Sequence, residues 1–319
     1  MAVSFVVSTS PHIRTPDTSS RTMWLVNVAL LPAAVAAAVI FGRRALVVIA
    51  VSVAVAMLTE VLSQMVFRRK STITDGSAVV TGLLLAFTLP STTPVWMVGL
   101  GSFVAIFLVK QLFGGLGFNI FNPALAARAV LLASFPVALT SWSAPVASFL
   151  QADVVSSATV LTTVKEGGAR AWGYLDLLLG TIPGSVGETC KIALIAGFLF
   201  LILMRAVDWR IPLSFVGSAV LLAALLGRDP LGELLAGGLI LGALFMATDT
   251  VTSPTSAWGR VIFGIGCGLL TALIRVYGGF PEGVCYAIIF MNCLTPLIDK
   301  YVVPRRFGAP KTEPGRTAT

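Results

Sequence analysis

The stretch of this chain with the strongest claim to chemistry is Asp153-Val154-Val155-Ser156-Ser157-Ala158-Thr159. It joins a carboxylate, two hydroxyls and a small-residue run that ends on a threonine. It lies in a polar region, from about Val137 to Gly184, between two apolar blocks. Ser156, Ser157 and Ala158 keep bulk away from Thr159, so a second enzyme can take that hydroxyl into its own active site and esterify it. A hydroxyl is a weak nucleophile until a base activates it, and the string offers no obvious base. The base and any metal then belong to the modifying enzyme. The alternative is a polar loop whose Ser and Thr side chains satisfy nearby backbone groups.

Other residues that could do chemistry are scattered. Glu60, Lys110, Arg128, Asp249, Arg275, Glu282 and Asp299 fall in or near apolar segments, where a charge is costly and needs a partner. Several sit close to expected segment ends, so snorkelling to the interface is the expectation for them. Asp249, beside a break in the apolar pattern, is the first candidate for an ion-linked carboxylate. Asn122 precedes Pro123, and proline at the first helical position loses no hydrogen bond while asparagine caps the free N–H groups. Asn119 and Asn122 are therefore candidates to shape a polar pocket at a helix start; tight turns for close helix packing are the competing reading. Cys190, Cys267, Cys285 and Cys293 show no CxxC spacing and His12 is the sole histidine, so no zinc, haem or iron–sulfur site is expected. There is no GxGxxG fingerprint for a dinucleotide.

The elements that must position these residues are membrane helices. Hydrophobic residues make up 56% and charged residues 11% of the 319, and mean hydropathy is +0.93, which excludes an ordinary soluble domain. The net charge of +8 is spread in short clusters between apolar runs, which reads as orientation by the positive-inside rule and not as nucleic-acid binding. About ten segments of roughly spanning character are expected, over 23–41, 45–67, 76–90, 94–113, 123–136, 185–206, 211–227, 231–247, 258–277 and 282–303. Those at 76–90 and 123–136 are too short for a straight crossing and read as broken or half helices.

The two apolar blocks resemble each other. Asp75, Gly82, Pro90, Gly114-Gly115 and Pro123 find counterparts in Asp229, Gly237-Gly238, Pro254, Gly278-Gly279 and Pro281. Five segments per block is an odd number, so the expected fold is all-α, in two inverted five-helix repeats. The expected organisation is an N-terminal segment 1–22, a first repeat 23–136, a polar loop 137–184, a second repeat 185–303 and a basic tail 304–319. The tail, with Arg68, Arg69 and Lys70, places both termini in the cytoplasm and the polar loop outside; Arg43 and Arg44 run against that rule.

Ser10-Pro11-His12-Ile13-Arg14, Asp75-Gly76-Ser77 leading into TGLLLAFTLP, GGLGFNIFNPALAAR from Gly114 to Arg128, ATDTVTSP from Ala247 to Pro254, and GGFPEGV through MNCLTPLID up to Asp299 stand in the order in which the D subunits of Rnf complexes carry them. The chain resembles that family over nearly its whole length. It is similar, more distantly, to the B subunits of sodium-pumping NADH:quinone reductases. The resemblance implies a multi-pass protein in the inner membrane of a prokaryote, part of a complex that couples electron flow between ferredoxin and NAD to Na+ or H+ movement. It implies an FMN esterified through its phosphate to Thr159 by a flavin transferase, within a D-x-x-[ST]-G-A-T motif that Asp153, Ser156, Ala158 and Thr159 match and in which Ser157 replaces glycine. It further implies a noncovalent riboflavin, for which Asn119 and Asn122 are candidates, and partner subunits A, B, C, E and G, of which G carries a second covalent flavin on the outer face. A free-standing inverted-repeat transporter or channel is the competing class, since a fold does not dictate function.

Overall fold

The computed structural model describes residues 18–145, 156–157, 161, 173–279 and 282–303. Helix α1 (Ser19–Phe41) opens on Thr18, whose side chain accepts from the Arg21 N–H at 3.2 Å, and ends at Gly42 with a φ of 67° that admits the sharp turn into α2 (Arg43–Val66). Then come α3 (Ser77–Thr88), α4 (Val95–Phe103) continued by a π-helical stretch (Val104–Gln111), and α5 (Pro123–Ser134). The polar region contains α6 (Pro136–Thr140), a two-residue strand β1 (Trp142–Ser143) paired antiparallel with β2 (Ser156–Ser157), and α7 (Tyr174–Leu179). The second block is α8 (Lys191–Leu203), α9 (Arg210–Leu225), α10 (Pro230–Leu235), α11 (Leu239–Leu241) running into a π-helical turn (Gly242–Met246), α12 (Ala257–Tyr277) and α13 (Val284–Tyr301).

Among the described residues, α1, α2 and α12 are long and apolar enough to cross a membrane, and five further apolar helices are shorter. The fold is therefore the expected all-α membrane architecture, but built mostly from short helices. The expected 185–206 segment begins late. Residues 181–190 are non-helical, interrupted by Pro183, Gly184 and Gly187, and pair with the end of α3 through Val186 N–H to Leu89 O and Gly187 N–H to Phe87 O, both 3.0 Å. A side chain at 187 would overlap the Phe87 ring. The expected 231–247 segment is broken at Ala236–Gly238, where Gly237 has a φ of 60°. Breaking a helix frees carbonyls that need donors; here Arg275 donates to Ala236 O and Lys191 to Gly237 O, each at 3.0 Å.

The packing has the pattern of a repeat. In the first block α2 lies against α3 and α4; in the second α9 lies against α10 and α12. Across the blocks, α1 packs on α8 and α5 on α13. The α1–α8 approach depends on Gly197, where a Cβ would collide with the Ala29 carbonyl. Small residues at such crossings let membrane helices come close.

Thr22, Ala206 and Val251 surround one cavity, and Asp299 accepts from the Thr255 N–H at 3.0 Å. The starts of α1, α9 and α12 and the ends of α8 and α13 therefore share one face of the bundle. The start of the polar region lies at the opposite face, where Thr92 Oγ1 donates to Ser141 O.

Candidate functional site

The site begins with a run of glycines. Gly114, Gly115 and Gly117 have φ values of 133°, 99° and 95°, a backbone that residues with a Cβ rarely adopt. The chain folds back there and delivers Asn119 and Asn122 to the start of α5. Asn122 Oδ1 accepts from the Ala124 and Leu125 N–H groups at 3.1 and 3.3 Å, the cap its position predicts. Its Nδ2 also donates to Met246 O at 3.2 Å, so one side chain ties the start of α5 to the end of the π-helical turn in the other block.

Beside this tie opens a cavity. Its wall surface is chiefly apolar, with Val26, Leu84, Leu201 and Phe245 among the lining residues. Asn119 is buried and donates to Phe121 O at 3.0 Å, while its Oδ1 has no partner. Asp249 reaches the wall with Oδ1 accepting from the Val251 N–H at 3.1 Å and Oδ2 accepting from Thr252 Oγ1 at 3.4 Å. The structure thus brings Asn119, Asn122 and Asp249, far apart in sequence, to one cavity. Both π-helical stretches lead to it, through Lys110 and Phe245. Such stretches recur at functional sites because they shift side chains out of the regular α-helical register.

Lys110 is buried against Glu60, with Nζ 2.9 and 3.0 Å from the two carboxylate oxygens and 2.6 Å from Ser77 Oγ. Glu60, 0% exposed, also accepts from Gln64, Gln111 and Thr72. A second group lies at the opposite face. Arg128 donates to Thr88 O, Glu188 and Glu282, and Lys191 donates to the Glu188 and Gly237 carbonyls. A third pairs Arg275 with Glu233 at 3.0 Å, and Arg228 also reaches Glu233 at 2.8 Å.

These pairs correct the snorkelling expectation for Glu60, Lys110, Arg128 and Arg275. Each is buried and paired inside the bundle and not at the lipid headgroups. Asp299, partly exposed and held by Thr255, is the end-of-helix case. Glu188, Lys191 and Glu233 join these groups without having stood out in the sequence. Glu188 and Lys191 flank the boundary where the apolar pattern has a helix already under way, and Glu233 has the look of surface charge next to Asp229.

Of the threonine motif, Ser156 and Ser157 form β2, in register with Ser143 and Trp142. Asp153, Ala158 and Thr159 lie outside the described residues, as does His12. Leu161, two positions beyond Thr159, is buried against Leu177, Ile182 and Ala236. Ser156–Ser157 and Leu161, on either side of Ala158-Thr159-Val160, are thus held by β1 and by the Leu177 cluster. No group of three or more His, Cys, Asp or Glu side chains able to hold a metal occurs among the described residues.

Comparison with known proteins adds a family. Residues 6–308 match the model of the NQR2, RnfD, RnfE family. The D subunit of the proton-translocating ferredoxin:NAD(+) oxidoreductase complex of Clostridium ljungdahlii is 46% identical over 95% of this chain and 96% of its own length. The D subunit of the Na(+)-translocating ferredoxin:NAD(+) oxidoreductase complex of Acetobacterium woodii is 44% identical over 97% of each. The D subunit of an ion-translocating oxidoreductase complex of Escherichia coli is 37% identical over 95% of this chain and 98% of its own.

Proposed function

We propose, from the premise that the chain belongs to the NQR2, RnfD, RnfE family, that it is the D-type membrane subunit of an ion-translocating ferredoxin:NAD+ oxidoreductase. The observation that carries this reading is near-full-length identity of 44–46% to two proteins so named, joined to a fold with buried ion pairs and a cavity at its seam. One relative is named for protons and the other for Na+, so the likeness leaves the ion open. The competing reading of a free-standing channel has no use for a threonine presented to a transferase.

In this reading Thr159 carries an FMN through a phosphoester, with Asp153, Ser156, Ser157 and Ala158 as the recognised string. A flavin supplies one- and two-electron relay chemistry, and the protein sets its position and potential. On either side of Thr159, Ser156 and Ser157 pair with β1, and Leu161 is buried against Leu177, Ile182 and Ala236. The cavity suits a second, noncovalent flavin such as riboflavin. Its largely apolar wall surface suits a flat tricyclic ring, and the unpartnered Asn119 Oδ1 offers an acceptor to a ring N–H. Asn122 positions the wall by capping α5, and Asp249 stands at the mouth as the ion-linked carboxylate.

The positive-inside rule puts the face shared by Arg68, Arg69, Lys70, Arg205, Arg210, Arg260 and Lys300 in the cytoplasm, with both termini, and the threonine string outside in the inner membrane of a prokaryote. Subunits A, B, C, E and G are the partners of this assembly, G being the outward electron partner; the lipid bilayer surrounds it.

The test is in-gel flavin fluorescence of the denatured protein. Thr159→Ala should be dark where the wild type is bright, and a variant as bright as wild type refutes the attachment site. Deleting the gene should abolish ferredoxin-driven ion uptake by inverted vesicles; uptake that persisted would refute the assignment as a whole.

A further inference from the structure

The seam between the two repeats meets one face of the bundle at the cavity and the other at a closed cluster of charges. Both places are made from equivalent parts. At each, the segment before the fifth helix of one repeat meets the end of the third element of the other: Asn119–Asn122 against Met246–Val251 on the cavity side, Glu282 linked to Thr88 through Arg128 on the other. The walls stand apart in the first case. In the second, Arg128 and Lys191 balance Glu188 and Glu282, so the opening is filled by two positive and two negative side chains. Arg128, Glu188 and Lys191 are at most 7% exposed.

A smaller pocket adjoins this cluster, lined among others by Glu188, Thr189, Lys191 and Glu282. Thr189 is 2% exposed, and its Oγ1 has no hydrogen-bond partner. A buried hydroxyl left unsatisfied costs free energy unless something else occupies it. Here it stands beside two carboxylates, and Gly238, with no Cβ, leaves room for the Glu188 carboxylate. Hard oxygens of this kind, at the unwound ends of broken helices, are the ligands that inverted-repeat membrane proteins offer to Na+ or a proton.

We propose that Glu188, Glu282 and Thr189 form the outward exchange site for the translocated monovalent cation, Na+ or a proton, whose inward site is the cavity at Asp249. Arg128 is the resident counter-charge that the cation displaces from Glu282, the most exposed member of the cluster. The filled cluster is neutral, so an arriving cation leaves it one charge positive. That excess favours release, the property an exit site needs, since conduction requires binding weak enough to leave. The inference rests on the reading of the chain as part of an ion pump.

The experiment uses the whole complex reconstituted in liposomes, driven with reduced ferredoxin and NAD+. ²²Na+ uptake and a lumenal pH dye separate the two cations, and NADH formation is read in parallel. Glu188→Gln and Glu282→Gln should lower the ions moved per NADH at least fivefold. Glu188→Asp and Glu282→Asp keep the charge balance should the amide variants fail to assemble. Each should shift the half-saturating Na+ concentration, or the corresponding proton activity, by threefold or more. Assembled variants with the wild-type ion-to-electron ratio and unchanged half-saturation would overturn the site. A wild-type complex that moves no ion with ferredoxin oxidation would instead overturn the reading beneath it.

Discussion

Replacing Lys110 with methionine tests how the first repeat is held together. The substitution keeps the length of the side chain and removes its charge, leaving the Glu60 carboxylate at 0% exposure without its cation. Lys110 supplies two of the hydrogen bonds to that carboxylate, at 2.9 and 3.0 Å; Gln64, Gln111 and Thr72 supply neutral ones at 3.2, 3.1 and 3.3 Å. Breaking a buried ion pair by removing one partner costs about 3–5 kcal/mol, because a buried charge is left uncompensated. The three neutral donors stay on the carboxylate in the variant, so the expected loss lies toward the lower end, about 3 kcal/mol. Glu60→Gln combined with Lys110→Met removes the stranded charge and should cost about 1–2 kcal/mol, well below the single change. Reversible unfolding in mixed micelles, followed by tryptophan fluorescence, gives all four corners of the cycle. A Lys110→Met variant destabilised by less than about 1 kcal/mol, or a double variant that costs the sum of the singles, refutes the reasoning.

Three further outcomes follow from other parts of the fold. Asn122→Ala loses both the α5 cap and the tie to Met246 O, and should cost about 1–3 kcal/mol; Asn122→Asp keeps the cap alone and should cost less, an order checked in the same micelle assay. Gly197→Ala pushes α1 from α8 and should cost about 1–3 kcal/mol by overpacking, with thermal stability in detergent as the readout; a neutral result would contradict the close approach. In the loop before α9, burial pulls the Asp208 carboxyl upward, but hydrogen bonds from the Arg210 backbone and from Arg260, with the charges of both arginines, outweigh it and hold the group below its ordinary 3.8. A depressed carboxyl stabilises the fold above its unfolded value and loses that contribution as pH falls through its folded value. Below about 3.8, wild type and Asp208→Asn should therefore converge in melting temperature, and a constant gap down to about pH 2 would count against the pairing.

Much of the architecture was legible because its signals are local. Apolar runs, the Gly42 turn, the glycine run before Asn119 and the Asn122-Pro123 start are each written within a few residues. The chemistry of the seam was less legible, because its partners are remote: Arg128 meets Glu282 across 154 positions and Asn122 meets Met246 across 124. Burial of Glu60, Lys110, Arg128 and Arg275 depends on what packs against them, and hydropathy does not report that. Nor does it report the break at Ala236–Gly238, where the run of leucines continues on both sides while Arg275 and Lys191 satisfy the carbonyls from other elements. Glu188 and Lys191 were obscured for the same reason, since an apolar run to their C-terminal side hides the late start of α8.

The most direct test of the central claim, that this chain is a flavin-bearing part of a redox-driven ion pump, is the intact mass of the protein purified from its native membrane. The account predicts a mass above that of the sequence by one FMN less water, and the sequence mass alone for Thr159→Ala. A wild-type protein at the sequence mass, from cells with an active flavin transferase, would contradict it.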